Sequence, residues 1–192
     1  MITPTMVYPN DDARSEATLI PFHEPRLARD LNLSLRKSSE AVAEKSVMWA
    51  DTRFAFQASA AGDWFEVEVP VDVVIEGFDA LELATRIDPG LRVALSARLD
   101  GEGFSETAGE AVNRGEAEAQ PGERLHVRAG LRGERLEGVR IRVTAPAAGG
   151  YTVSLCWVRL VASDLRARIE RQPWPINRSW PDTVKPDDTW GE

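Results

Sequence analysis

Glu66-Val67-Glu68-Val69-Pro70-Val71-Asp72 sets a valine at every second position and a carboxylate at most of those between. Successive side chains of an extended chain point to opposite faces, so this run has one face for a core and one for water. The same rhythm recurs further along. Leu81, Leu83 and Ile87 alternate with Glu82, Ala84 and Arg86; Leu91, Val93, Leu95 and Leu99 with Arg92, Ser96 and Arg98; Val139, Ile141 and Val143 with Arg140, Arg142 and Thr144. From Trp64 to Asp164 no segment carries a long three-and-four apolar repeat. The centre of the chain is therefore predicted to be all-β, an antiparallel β-sandwich.

Outward from that centre the pattern predicts three parts. Residues 1–29 hold Pro4, Pro9, Pro21 and Pro25 without a sustained period and read as an extended arm. Residues 30–165 form the sandwich, starting with a short strand at Leu31, Leu33 and Leu35. The stretch Ser39 to Lys45 is open to a turn of helix, and Val47 to Ala58 reads as one strand. Gly101 to Gly122, with five glutamates and almost no large apolar residue, reads as a long loop. Pro146 to Gly150 is expected to make a hairpin-type connection into the last strand, Tyr151 to Ser163. There Val153 and Leu155 are offset by an odd number from Val158 and Leu160, so the strand either bulges near Cys156 and Trp157 or is buried on both faces. Residues 166–192 read as a short helix and a linker-like tail rich in proline and tryptophan, suited to lying against another surface.

Bulk properties exclude several functions. Across 192 residues, 23 Lys and Arg against 31 Asp and Glu give a net charge of -8, the wrong sign for tracking a phosphate backbone, so no nucleic-acid partner is expected. Cys156 is the only cysteine and cannot form an intrachain disulfide; a small buried hydrophobe is the expected role. Met1 to Asp30 lacks the basic start and apolar run of a secretory signal, and no window reaches the ~20 apolar residues of a membrane span, so a soluble chain with no membrane partner is expected. The compartment is left open.

No catalytic constellation is apparent. The two histidines, His23 and His126, have no partners at ligand spacing, and no nucleophile elbow or phosphate loop occurs; Gly101-Glu102-Gly103 lacks a following helix. Glu66, Glu68, Glu82 and Asp100 could in principle supply the two carboxylates of a glycoside hydrolase, but they occupy the outward half of strands, where charge serves solubility. The sequons at Asn32 and Asn177 matter only in a glycosylating compartment.

The arginines offer more. Arg86, Arg92, Arg98, Arg128, Arg140 and Arg142 all fall on the polar half of predicted strands. Gathered on one sheet face, their planar forks would match carboxylate or sulfate oxygens in pairs and could hold an acidic sugar polymer. The alternative is that they pair across strands with Glu66, Glu68 and Glu82. Trp64, beside Gly62 and Asp63, is the aromatic best placed to offer an indole face to a sugar ring, while Trp49 and Trp157 are expected in the core.

Three stretches together resemble a known family. Leu31-Asn32-Leu33-Ser34 with Lys45-Ser46-Val47-Met48-Trp49, then Phe78-Asp79-Ala80-Leu81-Glu82-Leu83, then Leu136-Glu137-Gly138-Val139-Arg140-Ile141-Arg142-Val143 with Tyr151 to Val161, look like the opening, central and closing strands of the galactose-binding-like jelly roll. That fold is used by non-catalytic carbohydrate-binding modules and by the N-terminal sandwich domain of chondroitinase-type polysaccharide lyases. The resemblance implies a jelly-roll sandwich over roughly Leu31 to Asp164 and a carbohydrate partner. It also implies a downstream catalytic domain of lyase or glycoside hydrolase type, and a structural calcium for which Asp164 would be a ligand, with Asp30 the only nearby carboxylate; no other cofactor is expected.

The expected function is thus a non-catalytic carbohydrate-binding sandwich with Trp64, Arg86, Arg98, Arg128, Arg140 and Arg142 as ligand-binding residues and no catalytic residue. The alternative is a structural sandwich that docks a neighbouring domain or subunit without binding sugar.

Overall fold

The alternating runs become two packed antiparallel sheets. The computed structural model describes residues 16–47, 51–105, 109–114 and 124–163. In chain order the elements are β1 (Glu16–Ile20), α1 (Pro25–Asp30), β2 (Ser34–Lys37), β3 (Val42–Val47), β4 (Thr52–Ala58), β5 (Trp64–Val74), β6 (Ala80–Ile87), β7 (Arg92–Leu99), β8 (Gly109–Val112), β9 (Leu125–Gly130), β10 (Arg135–Thr144) and β11 (Gly149–Val161). One sheet runs β3-β4-β11-β6-β9, with β1 also paired to β11. The other runs β2-β5-β10-β7-β8.

The core lies between the sheets and is built from the apolar half of each alternation. Phe65, Val67 and Val69 of β5, Val139, Ile141 and Val143 of β10 and Val93 and Leu95 of β7 face Phe54 and Phe56 of β4, Leu81 and Leu83 of β6 and Val153, Leu155, Val158 and Leu160 of β11. Phe65 bridges the layers, its ring centroid 5.3 Å from that of Phe54 and 5.0 Å from that of Phe56. Each such side chain contributes roughly 1.5–3 kcal/mol of burial free energy.

The last strand keeps its apolar face inward by an irregularity. The register of β11 against β6 runs Leu155 to Thr85 and then Trp157 to Ala84, skipping Cys156. The odd offset read from the sequence is this bulge. Burial pushes the Cys156 thiol above its ordinary value, which suits a packing role.

Several boundaries differ from those expected. The segment read as an arm enters the fold at Glu16: β1 pairs with the end of β11, and Ile20 and Phe22 are fully buried. Prolines hid this, although Pro25 only opens α1 at its first turn, where no backbone donor is needed. Lys45 ties α1 down by donating to the Ala28 carbonyl at 3.1 Å. The stretch Ser39 to Lys45 is not helical; it contains the start of β3. In the stretch read as one strand, Val47 to Ala58, Val47 ends β3 and Thr52–Ala58 form β4, which pairs antiparallel with β3, and the Gly101 to Gly122 loop contains β8. Pro146 to Gly150 is not a hairpin, because β10 and β11 lie in different sheets.

A candidate ligand face on the five-stranded sheet

Strand register decides which polar residues meet. On the outer face of the five-stranded sheet the rows across the strands read Trp64, Thr144, Arg92, Val112; then Arg36, Glu66, Arg142, Ala94, Glu110; then Ser34, Glu68, Arg140, Ser96; then Pro70, Gly138, Arg98. Arg92, Arg98, Arg140 and Arg142 therefore share one surface with Trp64. Arg86 and Arg128 do not: β6 and β9 belong to the other sheet. A polar half-strand identifies an outward face but not which of two outward faces it is, and the six arginines are split accordingly.

The charges pair both straight across a row and diagonally between rows. Arg140 sits between two carboxylates, Nε 3.2 Å from Glu66 Oε1 and Nη2 3.4 Å from Glu68 Oε2. Its Nε faces Glu66 at an angle that makes an ion pair and no hydrogen bond. Arg98 Nη1 lies 3.5 Å from Glu68 Oε1, and Arg92 Nε 3.0 Å from Glu110 Oε1. Glu66 is only 6% exposed, so its charge rests on Arg140. Of the cross-strand pairs expected as the alternative to a ligand face, those of Glu66 and Glu68 are formed. Glu82, on the other sheet, meets His126, Nδ1 to Oε1 at 3.1 Å. Asp100 caps a turn, accepting from the backbone N–H groups of Glu134 and Arg135.

Two aromatic rings flank the charges. The Arg142 guanidinium lies 4.2 Å from the centroid of the half-buried Trp64 ring, stacked as an amphipathic cation on an indole. At the far end Phe104 has the Arg140 guanidinium at 3.8 Å and that of Arg98 at 5.1 Å. Phe104 was not singled out from sequence, because it is the lone aromatic of a stretch that reads as loop. The loop is held over the sheet by an isolated bridge from Phe104 to Arg98 and by Ser105 N donating to the Ala97 carbonyl at 3.0 Å. Gly138 leaves the room: a β-carbon there would stand 3.0 Å from Phe104 Cζ and 3.3 Å from Arg98 Nη2. Gly138 and Thr144 are six residues apart along β10, so the platform is roughly 20 Å long.

The turn beside Trp64 is heavily tied. Asp63 Oδ2 accepts from Ser59 N at 2.8 Å, Ser59 Oγ at 2.7 Å and Ala60 N at 3.1 Å, and Oδ1 accepts from Ser38 Oγ at 2.8 Å. These donors, the Ser59 hydroxyl foremost, hold the Asp63 carboxyl down to about 2.

On the six-stranded sheet the outward residues are arranged differently. Arg86 lies 3.9 Å from the buried Asp51, and Arg128 donates to the Ser163 hydroxyl. Trp157 is 4% exposed but points away from the main core, forming a small separate cluster with Ala84 and Cys156. Trp157 is a buried core residue as expected, but of this second cluster and not of the core between the sheets, because the bulge turns it outward. Its ring is covered by Arg159 at 3.9 Å and meets His126 edge-on at 5.5 Å. Trp49 and Asp164 lie outside the described residues. Among those described, no group of three His, Cys, Asp or Glu converges as a metal site would require. No helix among them is long and apolar enough to cross a membrane.

No family model matches the chain, and no curated protein matches it in sequence. Solved structures do match. The family 11 carbohydrate-binding module of the cellulosomal cellulase Lic26A-Cel5E of Clostridium thermocellum is similar at 9% identity, covering 78% of this chain and 96% of that one with a TM-score of 0.54. A carbohydrate-binding module described as specific for non-crystalline cellulose is similar at 14% identity, over 74% of this chain and 92% of that one, with a TM-score of 0.50. The glycoside hydrolase domain structure of Endo-D from Streptococcus pneumoniae R6 matches at 12% identity over 68% of this chain and 22% of that one, with a TM-score of 0.52. Identities this low establish likeness of fold alone: the chain has the jelly-roll β-sandwich architecture of carbohydrate-binding modules.

Proposed function

We propose that this chain is a non-catalytic carbohydrate-binding module that takes a glycan chain on the outer face of its five-stranded sheet. One observation carries the reading: two aromatic rings, Trp64 and Phe104, are set on one face about a floor of hydrogen-bonding groups, each ring with a guanidinium against it. Sugar rings present an apolar face and a rim of hydroxyls, and such a surface answers both. The fold likeness supports it, since both modules of this architecture are described as carbohydrate-binding and one as specific for non-crystalline cellulose.

The ion pairs bear on which glycan. Arg98 and Arg140 are held by Glu66 and Glu68, and Arg92 by Glu110, so an acidic chain would have to compete with carboxylates already in place. Arg142 has no carboxylate partner among the described residues. A neutral polyhydroxylated chain meets paired charges without displacing them and gains hydrogen bonds to their unused edges. We therefore favour a neutral glycan over the acidic polymer expected from the arginine count. Service beside a polysaccharide lyase or glycoside hydrolase domain accords with the fold and is part of the same proposal.

The test is affinity electrophoresis of the chain in gels containing a neutral soluble β-glucan, mannan or polygalacturonate. Retardation by a neutral polymer, lost in Trp64→Ala, is the expected result. Retardation only by polygalacturonate would reverse the choice of ligand, and no retardation by any polymer would favour a sandwich that docks other protein.

A further inference from the structure

Trp64 is the first residue of β5, where a strand has no preceding ladder bond to hold it. Here the backbone is clamped from both sides by a residue of another segment. Ser38 N donates to the Trp64 carbonyl at 2.9 Å, and Trp64 N donates to Ser38 Oγ at 3.2 Å. The hydroxyl that accepts from Trp64 is itself oriented by Asp63, to whose Oδ1 it donates at 2.8 Å. The other oxygen of that carboxylate gathers three donors from Ser59 and Ala60. The turn is then fastened to the end of β10, Gly62 N to the Ala145 carbonyl at 2.9 Å and Ala145 N to the Asp63 carbonyl at 2.8 Å. Gly62, at φ 88°, takes the left-handed conformation this reversal needs.

Asp63 thus joins three pieces of chain, the end of β2, the β4–β5 crossing and the end of β10, around the backbone of one half-exposed tryptophan. Thr144, opposite Trp64 in the register, is the last residue of β10, so the same knot fixes the strand that carries Arg142. A ring held at one height and tilt before a ligand arrives loses less freedom on binding, and side chains locked by a supporting layer hold contact geometry best.

We propose that Asp63, acting through Ser38, is a positioning residue that presets the Trp64 indole against Arg142 for glycan binding. This rests on the reading that Trp64 touches sugar. Asp63 itself is not asked to touch it.

The experiment labels the full chain with 5-fluorotryptophan and follows the Trp64 fluorine resonance, identified by its disappearance in Trp64→Phe, beside affinity for the β-glucan. Asp63→Ala is expected to shift or broaden that resonance, leave the other fluorine signals in place and weaken binding about tenfold. Asp63→Asn, which keeps one acceptor oxygen, restores part of both. Asp72→Ala, which breaks a carboxylate–arginine pair further along β5, changes neither. Should Asp63→Ala fail to fold, Ser38→Ala carries the same expectation. A folded Asp63→Ala or Ser38→Ala with unchanged Trp64 resonance and unchanged affinity, while Trp64→Ala loses binding, overturns the positioning role. Full affinity in Trp64→Ala instead overturns the glycan reading beneath it.

Discussion

The two outer faces of this sandwich are made of the same residue types and end in opposite states. On the five-stranded sheet, Trp64 is half-buried with Arg142 against its ring, above Glu66, Glu68 and Arg140. On the six-stranded sheet, Trp157 is 4% exposed with Arg159 against its ring, beside Glu82 and His126. Both indoles face outward, Trp64 by strand parity and Trp157 because the bulge at Cys156 breaks that parity. What separates them is the bulge at Cys156, which puts Trp157 in a packed cluster with Ala84 and Cys156, whereas Trp64 stands at a strand start with solvent beside it. A tryptophan and an arginine on the polar half of a strand thus make either a structural plug or a platform. The difference is backbone geometry and cover, not composition.

The largest effect that would test this contrast is in stability. Trp157→Ala removes a buried ring and is expected to cost about 3–5 kcal/mol in urea denaturation, with glycan affinity of the folded protein unchanged. A loss below 1 kcal/mol would show that the six-stranded face is less packed than described. Next is Arg140→Ala. It leaves the buried Glu66 carboxylate without its cation and is expected to cost about 2 kcal/mol in the same assay, more than a surface pair would. Arg128→Ala, its exposed counterpart on the other sheet, should cost under about 0.5 kcal/mol.

Trp64→Ala inverts the pattern of Trp157→Ala: about tenfold or more in glycan affinity, and about 1 kcal/mol or less in stability. A smaller effect sharpens the role of the Asp63 knot. Hydrogen bonds from Ser59 and Ser38 hold Asp63 at about 2, and the bond from Arg135 holds Asp72 below its ordinary value. The unfolded chain takes up these protons near pH 4 and the folded chain does not. Their contribution is therefore complete above about pH 4 and is lost as the pH falls toward 2. Urea midpoints measured across that window should fall with pH, and less steeply in Asp63→Asn.

Much of this architecture was legible as alternation, because a period of two survives wherever one face meets a core. The Val67, Val69 and Val139, Ile141, Val143 runs lie where their parity put them, and the odd offset in β11 announced its bulge. Sheet membership was not legible. Arg86 and Arg128 have the same local pattern as Arg98 and Arg140, and only the long-range order of strands divides them. Phe104 was missed for a related reason: an isolated aromatic in a glycine-rich segment has no period, and its position over Gly138 depends on the bridge to Arg98 and the Ser105–Ala97 bond, neither of which leaves a pattern in the sequence. β1 was hidden by the prolines around it, although Ile20 and Phe22 are among the most buried residues of the fold.

The most direct test is a backbone amide chemical-shift titration of the labelled chain with a neutral β-glucan oligosaccharide. Perturbations confined to Ser34–Arg36, Trp64–Glu68, Ala94–Arg98, Phe104 and Gly138–Thr144 are the expected result. Shifts centred on Glu82–Arg86, His126–Arg128 and Trp157–Arg159, with the five-stranded face silent, would contradict it.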